Sequence, residues 1–400
     1  MKVYLLLVCL FLVYIGTGSA NSLLGSAWPA ISSDISAPIS WQSILIVIIY
    51  SSATLGSAAT QNLLARFRAW APATAGILIV AVYVFMFSKT YAFFVLPFIG
   101  ALFGFFFGME GTIVNGYVSR RYKAMWMSWL HCFYSLGSTI GPAILSYFML
   151  NMGSWRTGYQ AVGWIETCIF VILLLSFPLW KVHGPVLPQR KGEYADSVSG
   201  RPEAAIKTNR ELFRLPGGTI IPVTMFVYCS FEVTIYFWAT SFLTEEKGMS
   251  PGAAAGLMAF FYGAQVAGRV ISGFLTIKFS DRHIIRVALI VIVAAMLTFS
   301  FASGAVMAPA FAVLGFAIGP MFPLLIHEVP SIVGETDAQG VIGLQLAGAN
   351  LGTALVPLLV GVAANFSGFR VFPIFLTVLI VFSVALKTIQ DRGAKKREAG

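Results

Sequence analysis

The sequence predicts an all-α membrane protein of twelve transmembrane helices arranged as two six-helix pseudo-repeats. Three observations predict it: an apolar composition, twelve runs of spanning length, and short motifs that recur at near-equal offsets. Of the 400 residues, 58% are hydrophobic and 10% are charged, with a mean hydropathy of +0.83, whereas a soluble domain carries about 25% charged residues. A spanning helix needs about 20 apolar residues, so a chain of this length has room for about twelve with short connections.

The first run, 3–30, begins MKVYLLLVCLFLVYIGTGSA and imitates a secretory signal, with one lysine, an apolar core and a small-residue stretch. Apolar character resumes through Leu23, Leu24, Ala27 and Trp28 before polarity returns at Ser32 to Asp34, so it reads as one long retained helix. Runs at 41–64, 71–88, 91–119, 125–149 and 158–180 follow. A second set lies at 217–243, 251–277, 284–303, 305–327, 338–364 and 370–389. Between the sets, Lys181 to Leu215 carries seven Lys/Arg and four acids among Gly and Pro. The chain therefore divides into an N-terminal six-helix half, 1–180, a cytoplasmic linker, 181–216, and a C-terminal half, 217–400, ending in a short basic tail.

Loops retained in the cytoplasm during insertion hold Lys and Arg. With the N-terminus inside, the inner loops hold 21 basic residues and the outer loops four, Lys89, Arg156, Lys247 and Arg370; Arg269 falls within a span. Both termini are expected in the cytoplasm and the chain in a cell membrane, a bacterial inner membrane fitting best. The net charge of +10 sits in these loops rather than on one folded face, which argues against a nucleic-acid partner. Cys9, Cys132, Cys168 and Cys229 lie far apart in apolar runs, so neither a disulfide framework nor a metal site is expected.

The halves repeat. Leu136-Gly137-Ser138-Thr139-Ile140-Gly141-Pro142 is matched by Leu351-Gly352-Thr353-Ala354-Leu355-Val356-Pro357 at an offset of 215. Gly56 stands ten residues before Arg66-Phe67 as Gly268 stands before Lys278-Phe279, an offset of 212, and Trp155-Arg156 is echoed by Phe369-Arg370 at 214. Duplicated six-helix halves mark carriers that work about a site at the middle of the bilayer.

The stretches GTGSANSLLGSAWPAI in the first span, NGYV after the fourth span's glycines, LHCFYSLGSTIGP in the fifth, FVYCSFEVTIYFW in the seventh and GFAIGPMFP in the tenth resemble the major facilitator superfamily. Within it they resemble the fucose permease-like sugar:proton symporters, over nearly the whole chain. The resemblance implies a proton-coupled carrier that exposes its site alternately to the two sides. Two departures stand out. The superfamily loop of an acid and Arg-x-Gly-Arg is reduced to Leu64-Ala65-Arg66-Phe67-Arg68. The family's acid near Gly25 is missing, and Glu110 precedes Asn115 by five residues where the pattern has four.

An ionisable side chain at mid-bilayer costs about 2.5–3.5 kcal/mol on insertion scales, so each one needs a partner, water or a function. Glu110 lies deep in the fourth span, and Glu232 in the seventh shares a face with Tyr236 close to Trp238. Both are candidate proton-coupling groups, with His131, whose ring titrates in the physiological range. A carboxylate accepts hydroxyl hydrogen bonds and an aromatic ring covers a sugar's C–H face, so Tyr236 and Trp238 are candidate substrate contacts. Gln265, Arg269, Ser272 and Thr276 form a polar stripe on the eighth span; Gln265 and Arg269 join the candidates. Asn21 and Trp28 in the first span, Asn115 in the fourth, Tyr134 in the fifth, and Gln345 and Asn350 in the eleventh complete the lining. Asn115 sits on a glycine stripe that lets a helix approach closely, and serves equally as helix glue. Glu166 in the sixth span reads as structural.

No phosphate loop, nucleophile constellation or metal cluster occurs, so no enzyme, cofactor or ATP-driven pump is expected, and energy comes from an ion gradient or the solute's own. The expected function is secondary active transport of a small polar solute, a sugar or sugar-like metabolite, with a proton, by a monomer in the lipid bilayer. The alternatives are a proton-driven exporter of amphipathic compounds, suggested by the aromatic run Phe103 to Phe107, and a transporter of a small organic anion should Arg269 face the solute.

Overall fold

The computed structural model describes residues 2–122, 124–180, 208–301 and 306–398. Among the described residues there are helices and no strands, and twelve helices are long and apolar enough to cross a membrane. They are α1 (Lys2–Asp34), α2 (Gln42–Arg66), α3 (Trp70–Lys89), α4 (Leu96–Arg121), α5 (Ala124–Met152) and α6 (Trp155–Leu175). Then come α7 (Ile220–Glu245), α8 (Pro251–Leu275), α9 (Asp281–Phe301), α10 (Met307–His327), α11 (Glu335–Ser367) and α12 (Val371–Glu398). Of the expected linker, 181–207 lies outside the described residues. Its end forms a short helix, Asn209–Arg214, started by a capping box in which Thr208 and Glu211 satisfy each other's backbone N–H groups.

Local chemistry explains where the helices begin and end. Pro97 sits in the first turn of α4 and Pro251 opens α8, positions where the missing N–H costs nothing. Ser154 caps α6 by accepting from the Thr157 N–H. Gly153, Gly248 and Gly368 follow α5, α7 and α11 with φ of 64°, 66° and 70°, a backbone region that a side chain disfavours. α10 is interrupted at Gly319-Pro320 between Met307–Ile318 and Met321–His327.

By packing, the chain falls into two units, Met1–Tyr194 with Leu243–Tyr262, and Ala195–Phe242 with Gly263–Gly400. In the first, α1 packs on α5 and α6, α2 on α4, and α3 on α4 and α6. In the second, α9 packs on α10 and α12, and α11 on α12. Large apolar side chains such as Phe98 and Phe366 remain on outward faces, as lipid solvent allows.

The repeated glycines stand at close crossings within each unit. A Cβ on Gly137 would run into the carbonyl oxygen of Ile15, and one on Gly352 into that of Phe226. A Cβ on Gly56 would strike the Phe105 carbonyl and one on Gly268 the Phe316 carbonyl. The two motifs thus make the same crossings twice, α5 on α1 with α11 on α7, and α2 on α4 with α8 on α10. Small residues permit such approach where lipid offers no hydrophobic drive for helices to associate. On the α4 stripe, Gly104 and Gly108 likewise meet the carbonyls of Ile49 and Ala53, whereas Gly111 has nothing within 4 Å of an added Cβ.

Candidate functional site

Nine of the thirteen expected site residues fall into two clusters, one in each unit. In the first, α1 presents Tyr14, Thr17 and Asn21 on one face, at spacings of three and four that helical periodicity superimposes. Asn21 Nδ2 donates to the Tyr134 hydroxyl at 2.9 Å and the Tyr50 hydroxyl at 3.4 Å. Tyr14 sets its ring edge-on to Tyr134 and His131, at centroid distances of 6.1 and 6.0 Å, with Asn115 beside its hydroxyl. Half-buried Asn115 donates to the Gly111 carbonyl at 2.8 Å, and His131 is exposed.

Glu110 is wholly buried, and its Oε1 has no hydrogen-bond partner. Its Oε2 lies 3.1 Å from Thr17 Oγ1, which is itself 2.8 Å from the Val13 carbonyl oxygen. A threonine hydroxyl has a single hydrogen and two acceptor lone pairs. Ionised Glu110 would leave one of the two contacts without a hydrogen of its own. Both are full hydrogen bonds when Thr17 donates to Val13 and Glu110 carries a proton on Oε2 that it donates to Thr17.

The second unit treats its acid in the opposite way. Glu232, 5% exposed, accepts at Oε1 from the Tyr236 hydroxyl at 2.6 Å and from Gln265 Nε2 at 2.9 Å. The other Gln265 amide hydrogen goes to the Tyr236 oxygen. Tyr228 adds a hydroxyl beside Glu232, and the Arg269 guanidinium lies within electrostatic reach. Every hydrogen in this triangle comes from a neighbour, which is what an ionised carboxylate requires. Arg269 also donates from Nε to the Gly319 carbonyl at 3.1 Å, at the break in α10.

Four other expected residues lie apart from these networks. Trp28 and Trp238 are wholly buried; their indole N–H groups donate to the carbonyls of Ile39 and of Pro357, the latter at 2.8 Å. Gln345 is buried and donates to the Leu325 carbonyl at 2.9 Å, while Asn350 is exposed. Sequence reasoning missed Tyr14, Thr17, Tyr50 and Tyr228. The first two were legible as the helical stripe that ends at Asn21; Tyr50 and Tyr228 carry no local signal, because their roles come from partners on other helices.

Two charged networks tie helix ends. Arg156 pairs with Asp34 at 2.6 Å, donates to the Ser88 and Thr90 carbonyls and covers the Tyr91 ring, joining α1, α3 and α6. Lys387 bridges Glu328 and Asp391 at 2.7 Å each, with Arg286 on Asp391. Burial pushes the Glu328 carboxyl above its ordinary range, and the Lys387 ammonium opposes that rise.

Comparison with known proteins agrees with the fold. A bacterial homolog of the human lysosomal transporter Spinster, inward-facing and unoccupied, superposes with a TM-score of 0.74 at 14% identity, covering 99% of this chain and 98% of that one. The nucleoside transporter NupG superposes with a TM-score of 0.73 at 13% identity, covering 98% and 100%. A curated relative, Bypass of stop codon protein 6 of Saccharomyces cerevisiae, is 22% identical over 339 residues, which cover 77% of this chain and 66% of the yeast protein's length. The family model of the Major Facilitator Superfamily matches residues 10–327 and 220–400. With its twelve spanning helices and its motifs repeated in both units, the chain belongs to the Major Facilitator Superfamily.

Proposed function

We propose that this protein is a proton-coupled secondary transporter of a small, hydroxyl-bearing solute of the sugar or nucleoside class. Glu110 carries the coupling proton and Glu232 holds the solute's hydroxyl groups. The observation that carries this reading is the opposite construction of the two buried acids. Glu110 has one oxygen without a partner and shares the single Thr17 hydroxyl with the Val13 carbonyl, whereas Tyr236 and Gln265 both supply hydrogens to Glu232. A group that gains and loses a proton suits coupling; a carboxylate with its charge held suits binding, because it has acceptor capacity for a sugar hydroxyl beside Tyr236 and Gln265.

The sequence resemblance to fucose permease-like symporters supports the sugar class, and the fold likeness to NupG, a nucleoside transporter, supports hydroxyl-rich solutes more broadly. Tyr236, Gln265 and Arg269 form the solute-facing set around Glu232; Asn21, Tyr134, Asn115 and His131 form the polar set around Glu110. Trp28 and Trp238 are framework in this reading, since their polar hydrogens are used on carbonyls. The protein works by alternating access, as a monomer in a cell membrane with both termini cytoplasmic. Phe103 is buried and stacked on Tyr83 at 4.0 Å, so the aromatic run behind the exporter alternative goes into packing. Arg269 lies within reach of Glu232, which disfavours an organic anion.

The test is uptake of radiolabelled sugars and nucleosides into vesicles containing the purified protein, with an imposed proton gradient and with that gradient collapsed. Accumulation that disappears on collapse is the expected result. A panel in which no solute responds to the gradient would sink the proposal.

A further inference from the structure

Glu166 of α6 is wholly buried, and neither carboxyl oxygen has a hydrogen-bond partner. Its carboxyl is aimed at α1: a Cβ added to Gly16 would stand 2.9 Å from Oε1 and would crowd Oε2 as well. The next residue of α1 is Thr17, the hydrogen-bond partner of Glu110. One turn of α1 therefore touches two buried carboxyls, Glu166 at Gly16 and Glu110 at Thr17. On α6 and the helices packed on it, the other titratable side chains inside the apolar stretches are Tyr4, Cys9 and Tyr14 of α1, Tyr83 of α3, His131, Cys132, Tyr134 and Tyr147 of α5, and Tyr159 and Cys168 of α6 itself. The basic residues Lys89 and Arg156 stand at the helix ends, and Arg156 is bound to Asp34.

We propose that Glu166 is a second hydrogen-ion-binding carboxyl, paired with Glu110 across α1, so that the first unit takes up two protons rather than one. This rests on the reading of Glu110 as the coupling carrier and extends it to a residue whose place in the sixth span reads as structural. Two buried carboxyls held against adjacent residues of one helix turn, away from the basic residues at the helix ends, resist ionising together in a low dielectric, so the pair loads in two linked steps. Each step is the addition of a hydrogen ion from water to one carboxylate oxygen, with no other group changed. Gly16 matters because a Cβ there would take the space that the Glu166 carboxyl occupies and make that side chain shift. A shift of α1 then alters both carboxyl environments at once, which gives proton loading a mechanical handle.

The experiment is infrared titration of the protonated-carboxyl C=O stretch in the full-length protein purified in detergent, without solute. Wild type, Glu110→Gln, Glu166→Gln and the double variant are compared, with size-exclusion elution as the folding check. Two pH-sensitive components that depend on this pair are expected in wild type, beside those of the other acids. Each single variant removes one and displaces the midpoint of the other, and the double variant removes both. Glu166→Asp, which keeps a carboxyl, retains a titrating component at a changed frequency. A Glu110 component that titrates identically with and without Glu166, or a Glu166 component that never changes with pH, overturns the pairing alone. A Glu110 component that never titrates overturns the coupling role of Glu110 and the pairing with it.

Discussion

At the scale of single residues, the two buried acids predict different variant phenotypes. Glu232→Gln removes charge-assisted hydrogen bonds, each worth about 1.5–3 kcal/mol, so affinity for the solute found in the uptake panel falls about 10- to 150-fold by equilibrium binding. Tyr236→Phe removes one donor, worth about 0.5–1.5 kcal/mol, and weakens binding about 2- to 12-fold. Unchanged affinity in both would remove Glu232 from the solute site. Glu110 and Glu232 are visible in the sequence because a carboxylate inside an apolar run is conspicuous. What distinguishes them is not visible there. The difference rests on Val13 and Thr17 beside one acid and on Gln265, 33 residues away along the chain, beside the other. Spacing along one helix shows which residues share a face, not which helix that face meets.

At the scale of elements, the repeated glycines carry the packing. Gly137→Ala and Gly352→Ala each drive a Cβ into a neighbouring carbonyl. Overpacking costs about 1–3 kcal/mol and outweighs the helix-propensity gain of about 1 kcal/mol for replacing glycine. Both variants are expected to unfold at lower temperature in detergent. Gly111→Ala, with open space at its Cβ, is expected to be neutral or stabilising, and a loss there as large as at Gly137 would contradict the crossing argument. The buried network of α12 gives a second case. Lys387→Met leaves Glu328 and Asp391 facing each other without their shared cation, an expected loss of about 3–5 kcal/mol, and adding Glu328→Gln is expected to restore part of it. This network was only half legible in sequence. Lys387 reads as a basic tail residue because Lys387 and Asp391 lie at the end of the last apolar run, and their four-residue spacing on a continuing helix is a signal that hydropathy alone misses.

At the scale of the whole molecule, the twelve-span architecture was legible to within five residues at every boundary except the end of α12, which runs on to Glu398, because lipid imposes a minimum apolar length on every crossing. The run at 251–277 corresponds to a helix at Pro251–Leu275 and that at 71–88 to Trp70–Lys89. Two of the three repeat offsets were legible because each marks a close crossing built twice. The chemistry of coupling was less so, since it depends on which hydrogen sits on which oxygen. The most direct measurement compares Glu110→Gln with wild type in proteoliposomes, using the solute found in the uptake panel under an inward proton gradient. Glutamine resembles the protonated acid but cannot release a proton. The account predicts that the variant still exchanges internal for external solute and no longer concentrates it. Concentrative uptake that survives Glu110→Gln would contradict it.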